Sequence, residues 1–383
     1  MLVLVCAHLV RYPCPIGIGS PWNTGTVLGT LVYTQLCTGI LLGLHYTPGI
    51  YTAYYSIIHT YREVYHGAVY RLLHSGGASL VFLLVLAHVY RGALRGSYMY
   101  VSSALSGGTL VYGVLMAIAF LGYILPWGAM SYWGATVITN LYTGVPCMVP
   151  WFLGGFYLTG PSLPRYSIIH SVLPAPALAP LVLHGLYIHR VSTTGGPGYN
   201  TNNRVHFHAW LVRKDTPVLV QGILVVLVQV YRGPLVLAHP DNSPPASVVL
   251  TPLHIVPEWY YLGYYGVLKA VPGRAPGFLV MVSYTLGAGT YGEPYSTGPL
   301  EGGHLPAPRY QGVFLLSLVV LYSLWAGAQL PQGRYVSYGR GYILVSLGCN
   351  IGYIPCPRPP TSSLTPSPYG HHLPYTPGTH QAP

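Results

Sequence analysis

The sequence predicts an all-α, polytopic membrane helix bundle with about eight transmembrane helices. Only 6% of the 383 residues are charged, whereas 51% are hydrophobic, and a soluble domain is normally about one-quarter charged. Apolar stretches recur along the chain, and the longer ones approach the roughly 20 residues that a helix needs to cross hydrocarbon. The predicted spans lie near residues 27–46, 76–94, 109–127, 171–189, 217–238, 276–289, 312–330 and 341–355, and their helices extend a few residues beyond these apolar stretches.

The first five stretches are long enough, or nearly so, to span a bilayer. The sixth and eighth are short and would have to extend into flanking residues, tilt, or thin the bilayer locally. The long connections 128–169 and 239–274 are expected to have structure and function of their own. The predicted divisions are an N-terminal surface segment (1–24), a four-helix core (25–215), C-terminal membrane helices (216–355) and a disordered tail (356–383).

Basic residues outnumber acidic ones, which gives a formal net charge of +11. They are scattered singly without an aromatic-interleaved patch, so nucleic-acid binding is not expected. The loop 190–216 holds four Lys or Arg and one acid, which places it, and the N-terminus with it, on the inner side of the membrane. None of the six cysteines lies in a Cys-x-x-Cys or Cys-x-x-Cys-His motif, so the usual zinc-ribbon, thioredoxin and c-type haem signatures are missing from the sequence.

Four histidines inside the spans give the strongest functional signal. His74 and His88 lie 14 residues apart on the second span, and His170 and His184 repeat that spacing on the fourth. Fourteen residues return to nearly the same helix face about 21 Å further along the axis. Because the two spans run in the same direction, His74 should face His170 near the outer side, and His88 should face His184 near the inner side. Facing imidazoles suit the axial positions of a haem, although any one of them alone is better explained as a hydrogen-bonded core histidine.

Glycines on the first and third spans repeat the same 14-residue interval. Gly25 and Gly39 form one pair, and Gly108 and Gly122 form the other. Since these spans run opposite to the histidine-bearing ones, Gly25 and Gly108 fall at the inner level and the other two at the outer level. Glycine there would let the backbone approach a flat macrocycle, although small residues also serve plain helix packing. The four-helix core is therefore predicted to hold two haems.

Two arginines flank the histidines of the second span. Arg71 precedes His74 by three residues, and Arg91 follows His88 by three. A guanidinium beside each haem would pair with its propionates. An ordinary interfacial arginine explains each position equally well on physical grounds.

Several longer motifs extend this pattern. They are Trp22-Asn23-x-Gly25, Arg71-x-x-His74, His88-Val89-x-Arg91-Gly92, the run from Leu125 to Leu141, and Thr251-Pro252-x-His254-Ile255-x-Pro257-Glu258-Trp259-Tyr260. By these motifs the chain resembles the cytochrome b family of mitochondria and related bacteria. The equal histidine spacing on both helices resembles the respiratory form, because the plastid counterpart has one extra residue in its second pair. Lys269 stands where this family commonly has arginine.

The resemblance implies the transmembrane electron carrier of a quinol–cytochrome c reductase, active only within its complex. It implies two b haems, with the low-potential haem on His74 and His170 and the high-potential haem on His88 and His184. Quinol would be oxidised at an outer site and quinone reduced at an inner site, coupled to proton translocation. The implied partners are a Rieske iron–sulfur protein, cytochrome c1, other subunits, membrane lipid and a second copy of the complex. The implied location is the mitochondrial inner membrane, or alternatively a bacterial plasma membrane.

The resemblance implies that the outer quinol site is formed by the loop after the third span and the loop before the sixth. Glu258 is the predicted proton acceptor, because oxidation makes a quinol hydroxyl far more acidic. Without the resemblance, an acid that caps a helix also explains it. Other positions match an apolar pocket of aromatic and small residues. They are Tyr123, Gly134, Ile138, Tyr260 and Tyr265.

The resemblance places the inner quinone site at His189 and Asp215. An imidazole and a carboxylate on either side of a quinone can hydrogen-bond its two carbonyls and deliver two protons. Lys214 is adjacent, and Thr26 stands where the family often has a hydroxyl residue. On the residues alone, Lys214 and Asp215 are more simply a charge pair at a helix start.

Two other functions fit part of the pattern. A haem-bearing membrane reductase of another kind would share the histidines but lack the segment Pro257–Tyr260. A transporter would use intramembrane histidines as proton relays. In a redox difference spectrum, two bis-histidine b haems with separable midpoint potentials favour the electron carrier, whereas the lack of any haem favours the transporter.

Overall fold

The computed structural model describes residues 6–95, 102–144, 147–191, 204–232, 239–287 and 307–348, together with Val3 and Ser97. Within these ranges the α-helices are α1 (Thr24–Gly43), α2 (Ala53–Glu63), α3 (Gly67–Leu94), α4 (Ser102–Ile124), α5 (Ala129–Thr139), α6 (Met148–Leu153), α7 (Ser162–Val172), α8 (Pro174–Val191), α9 (Val212–Arg232), α10 (Leu262–Ala270), α11 (Arg274–Gly287), α12 (Ala307–Ala328) and α13 (Gly333–Gly348). Two short strands, β1 (Pro13–Pro15) and β2 (Arg204–His206), pair antiparallel. Residues 290–306 and the predicted tail 356–383 lie outside the described residues.

Four helical segments of the described chain are long and apolar enough to cross a membrane. They are Ser20–Gly43, Gly67–Leu94, Ser103–Ile124 and Ser162–His189. These segments overlap the first four predicted spans, and the remaining predicted spans overlap α9, α11, α12 and α13. The predicted all-α membrane bundle is therefore confirmed. The second span begins earlier than predicted, at Gly67, because its first turns are helical but include polar Arg71 and His74, which weaken the hydropathy signal.

The fourth span is divided into α7 and α8 at Leu173. Pro174 has no N–H to donate to the preceding turn. Leu173 nevertheless keeps helical backbone angles (φ −56°, ψ −33°) and donates its N–H to the Ile169 carbonyl at 2.8 Å. The helical register therefore continues from α7 into α8, so His170 on α7 and His184 on α8 stay aligned as on one helix.

The membrane core is built from two helix pairs. α1 packs against α3, α8 packs against α4, and α9 packs against both α1 and α3. Val27, Leu31 and Val81 are buried between α1 and α3. Facing outward, Val182 and Ile223 are 60% and 53% exposed, as expected where hydrocarbon, not water, surrounds the protein.

A second packing unit joins α10 to α12 and α13. A Cβ atom on Gly327 would overlap the Leu262 carbonyl oxygen, so glycine is required where α12 approaches the start of α10. Lys269 secures the end of α12 by donating to the carbonyls of Gly327 at 2.5 Å and Gln329 at 2.6 Å. α12 also contacts α3 and the 3-10 turn Trp259–Tyr261, so this unit packs against the four-helix core beside Glu258.

Candidate functional site

The two histidines of each predicted pair lie close together inside the bundle. The imidazole centroids of His74 and His170 are 6.2 Å apart, and those of His88 and His184 are 6.3 Å apart. A metal ion binds an imidazole nitrogen at about 2 Å. The ring centroid lies about 1.1 Å beyond that nitrogen, given ring bonds near 1.33 Å. Two imidazoles on opposite sides of one metal ion would therefore have centroids roughly 6.3 Å apart. Both pairs therefore have the spacing of two imidazoles on one metal ion.

Two of the four imidazoles bond backbone carbonyls of α4 through Nδ1. His170 Nδ1 lies 2.9 Å from the Ile118 carbonyl oxygen, and His184 Nδ1 lies 2.7 Å from that of Ala104. Because a carbonyl only accepts, both Nδ1 atoms carry the proton and both Nε2 atoms present a lone pair. This is the tautomer that a metal-binding histidine adopts.

The other two imidazoles bond threonine hydroxyls of α1. His74 Nδ1 lies 3.0 Å from Thr38 Oγ1, and His88 Nδ1 lies 3.1 Å from Thr24 Oγ1. Neither threonine was predicted. A signal exists in the sequence, since Thr24-Gly25 and Thr38-Gly39 repeat the same dipeptide 14 residues apart.

The four predicted glycines lie against these rings. A Cβ atom on Gly122 would lie 2.5 Å from His170 Cε1, and one on Gly39 would lie 3.0 Å from His74 Cε1. At the inner level, a Cβ on Gly108 would lie 3.2 Å from His184 Cε1, and one on Gly25 would lie 3.7 Å from His88 Cε1. The need for glycine is thus strictest at position 122, where a side chain has least space, and weakest at position 25.

Arg91 provides a positive charge near the inner pair on a half-buried side chain. Its guanidinium carbon lies 5.6 Å from the centroid of the Trp22 ring, and that of Arg95 lies 5.0 Å from the same ring. Arg91 Nε is buried and has no hydrogen-bond partner among the described residues. A buried unpaired donor favours a nearby anion, so a haem propionate fits this position. Arg71 is half-buried on α3 one turn before His74, and Arg95 was not predicted.

The donor set fits a haem better than a bare metal ion. Across the described part of the chain, no group of three or more His, Cys, Asp or Glu could hold a metal. A structural zinc normally takes four protein ligands, whereas a haem iron needs only its axial ligands from the protein. Two facing imidazoles, with glycine beside each ring, are therefore suited to a metal that arrives inside a macrocycle.

The outer loops after α4 and before α10 are joined by hydrogen bonds. Ala129 N–H donates to the Pro244 carbonyl at 3.0 Å, and Ala246 N–H donates to the Trp127 carbonyl at 2.9 Å. Ser131 N–H donates to the Asn242 side-chain oxygen at 2.9 Å. The two segments that the resemblance assigns to the outer quinol site thus lie side by side.

Glu258 lies in the second of these loops, immediately before the 3-10 turn Trp259–Tyr261. Its side chain makes no capping hydrogen bond to that turn, so helix capping does not explain the residue. Burial raises the pKa of the Glu258 carboxyl to about 7. Burial and then the nearby Glu258 charge raise the pKa of the Tyr260 phenol well above its usual value, and the Tyr260 ring stacks on Phe82 of α3 at 4.2 Å.

A cavity of about 520 Å³ opens between the end of α5 and α10. Tyr265 is the predicted pocket residue that lines it, together with Val137, Leu141 and Lys269. A Cβ atom on Gly134 would meet nothing within 4 Å, so there is free space beside α5. Among the other predicted pocket residues, Tyr123 and Ile138 are half-buried and Tyr260 is buried.

The inner residues contact the N-terminal segment. Asn23 Nδ2 donates to the carboxylate of Asp215, which is 6% exposed. The His189 ring stacks on Tyr12 with centroids 3.9 Å apart. His189 and Asp215 thus have different partners, and no hydrogen bond or ion pair joins them within the described residues.

Lys214, the residue before Asp215, also contacts the N-terminal segment. Lys214 Nζ donates to the Ile18 carbonyl at 2.9 Å and lies 3.7 Å from the Trp210 ring centroid. The ammonium group is therefore engaged by the N-terminal segment and Trp210, which replaces the simple charge pair with Asp215 as the explanation of Lys214. Thr26 is half-buried on α1.

Comparison with known proteins gives a consistent family. The model described as Cytochrome b/b6/petB matches residues 9–192, and the model described as Cytochrome b(C-terminal)/b6/petD matches residues 245–346. Cytochrome b of Plasmodium falciparum is 38% identical over 345 residues, covering 89% of this chain and 92% of the relative. Cytochrome b of Toxoplasma gondii is 38% identical over 346 residues, covering 87% and 92%.

A solved structure supports the fold. A chain of a hyperthermophilic respiratory Complex III superposes with a TM-score of 0.83 at 23% identity, covering 93% of this chain and 96% of that chain. At this identity the likeness bears on the architecture alone, and the family follows from the matched models and the relatives. The chain belongs to the cytochrome b/b6 family.

Proposed function

We propose that this chain is the electron-carrying membrane subunit of a quinol–cytochrome c reductase and binds two b haems. The observation that carries the proposal is the pair of centroid distances, 6.2 Å and 6.3 Å, between histidines that face each other at two depths. The 14-residue interval separates the two levels by about 21 Å along the helix axes. Two carriers at these levels would connect the two faces of the membrane.

In this proposal His74 and His170 hold the outer, low-potential haem, and His88 and His184 hold the inner, high-potential haem. Bound haem supplies reversible one-electron chemistry. The protein supplies the bare Nε2 atoms, the glycine-lined clearance and the guanidinium of Arg91. Arg71 has the matching role at the outer level.

Glu258 is the proposed proton acceptor of the outer quinol site. A carboxyl with a pKa of about 7 is partly ionised at neutral pH and can take a proton from a quinol hydroxyl as an electron leaves. The cavity beside Tyr265, the free space at Gly134 and the half-buried Ile138 and Tyr123 supply the apolar surroundings that such a ring needs. Tyr260 packs behind Glu258 against α3.

His189 and Asp215 are the proposed proton donors to quinone at the inner site, with Lys214 and Thr26 nearby. In the structure the imidazole and the carboxylate pack against Tyr12 and Asn23. A quinone that binds between them would have to displace part of the N-terminal segment, so that the Tyr12–His189 or the Asn23–Asp215 contact is broken.

The partners are proposed on the same basis. The solved relative is a respiratory Complex III, and the family resemblance implies a Rieske iron–sulfur protein, cytochrome c1, further subunits and a dimeric complex. Four membrane-capable helices and relatives from Plasmodium and Toxoplasma support the mitochondrial inner membrane as the location.

A redox difference spectrum of the purified complex tests the proposal. We expect two b-type haems per chain, with bis-histidine spectra and separable midpoint potentials. A single haem would remove one histidine pair from the proposal. A haem-free chain that carries a substrate across vesicles would favour the transporter.

A steric variant tests the assignment of the outer haem. A Cβ atom at position 122 would lie 2.5 Å from His170 Cε1, so we expect Gly122→Val to displace that ring and to reduce the outer haem signal at least about tenfold. A Cβ atom on Gly113, which lies on the same helix, would meet nothing within 4 Å, so Gly113→Val should keep both haems. Equal haem content in the two variants would contradict the assignment.

A further inference from the structure

We propose that Thr38 and Thr24 are positioning residues that hold the proton of His74 and of His88 on Nδ1 and thereby set the redox potential of the haem that each imidazole binds. The inference rests on the proposed haem function. It concerns two side chains of α1 that are neither proposed haem ligands nor members of a proposed quinone site. Each lies one residue before the glycine that faces the same ring.

The proton can be assigned at Thr38 by following its hydroxyl. Thr38 is 5% exposed, so water does not compete for its hydrogen bonds. Its Oγ1 lies 2.8 Å from the Thr34 carbonyl, which can only accept, and 3.0 Å from His74 Nδ1. The single hydroxyl proton is therefore committed to Thr34. The His74 contact then requires Nδ1 to donate, which leaves a free lone pair on Nε2, and the centroid of this ring lies 6.2 Å from that of His170.

Thr24 repeats the arrangement at the inner level by a different local route. It is the first residue of α1, so its hydroxyl reaches the Pro21 carbonyl of the preceding turn at 3.2 Å. Its Oγ1 lies 3.1 Å from His88 Nδ1. Because the Pro21 carbonyl can only accept, a Thr24 hydroxyl that donates to it leaves Nδ1 of His88 as the donor in the second contact. Each haem would therefore have one ligand held by a backbone carbonyl of α4 and one held by a threonine of α1.

The two kinds of acceptor differ in an important way: a threonine hydroxyl can be removed by substitution, whereas a backbone carbonyl cannot. A ligand imidazole that donates its Nδ1 proton becomes a more basic ligand. A more basic ligand stabilises the oxidised, more positive iron over the reduced iron. Loss of the acceptor should therefore raise the midpoint potential of the affected haem and leave the other haem unchanged.

The experiment is a redox titration of the complex in its native membrane, carrying Thr38→Val, Thr38→Ser or Thr24→Val. For Thr38→Val we expect the reduced-to-oxidised ratio of the outer haem at fixed potential to rise about tenfold, a shift of about 59 mV for one electron. Thr38→Ser should restore the wild-type value, since it keeps the hydroxyl. Thr24→Val should shift the inner haem alone.

Thr30→Val is the matched control. Thr30 lies on the same helix and is exposed, and its hydroxyl donates to the Thr26 carbonyl at 3.0 Å without contacting a histidine, so both potentials should stay at wild type. Loss of the outer haem in Thr38→Val with rescue by Thr38→Ser would also support the role. Unchanged potentials in Thr38→Val, or equal shifts of both haems, would overturn it. A wild-type chain without two haems would instead refute the proposed function.

Discussion

Replacing His170 with asparagine is expected to remove the outer haem and stop quinol oxidation while the inner haem remains. The structure places the His170 ring 6.2 Å from that of His74, so the variant leaves one imidazole where two are needed. The loss of haem binding and activity should exceed the roughly 10–100-fold loss that follows when only a hydrogen-bond partner of a metal ligand is removed. The inner pair lies about 21 Å away along the helices, which is too far for direct disturbance.

The measurement is the dithionite-reduced difference spectrum of membranes, with turnover recorded on the same sample. His59→Asn is the control, because His59 is exposed on α2 and should leave both haems and the turnover intact. A His170→Asn chain that keeps two haems with wild-type spectra would contradict the ligand assignment. A chain that loses both haems would show that the two levels are not independent.

The helical register of the core could be predicted from sequence because it depends on local geometry. Fourteen residues nearly complete four helical turns, so the side of the helix on which His74 and His88 lie follows from their numbers alone. Pro174 does not disturb the same relation between His170 and His184, since Leu173 keeps helical angles. The opposed glycines at 39 and 122 followed from the same arithmetic.

Contacts between distant segments could not be predicted in this way. The acceptors of the four Nδ1 atoms are two threonines of α1 and two carbonyls of α4, and carbonyls have no side-chain signature. The packing of Tyr12 on His189 and of Asn23 on Asp215 depends on how the N-terminal segment folds back. No periodicity in residues 1–24 reports that tertiary arrangement.

The second large effect expected is at Glu258, where quinol oxidation should rise with pH and then level off. A proton acceptor acts in its ionised form, and burial has moved the pKa of this carboxyl from 4.5 to about 7. The rate should therefore be low near pH 5.5, reach half its limit near pH 7, and be almost flat above pH 8. In the same window the folded chain holds a proton that the unfolded chain has released, so stability attributable to this group falls as pH rises from about 4.5 to 7.

Glu258→Gln removes the acceptor but keeps the shape of the side chain, so it should lower the rate about 100-fold or more and abolish the rise through pH 7, with both haems retained. Asp241→Asn changes an exposed acid in the same outer loop and should preserve both the rate and its pH profile. Steady-state turnover against pH, with haem content measured in parallel, distinguishes these results. A Gln variant with wild-type turnover would remove Glu258 from proton transfer. A lower rate that still rises through pH 7 would show that this rise reflects the ionisation of another group. Only the combined loss of rate and limb fits a buried carboxylate that takes the quinol proton, because a purely structural defect would lower the rate at every pH by the same factor.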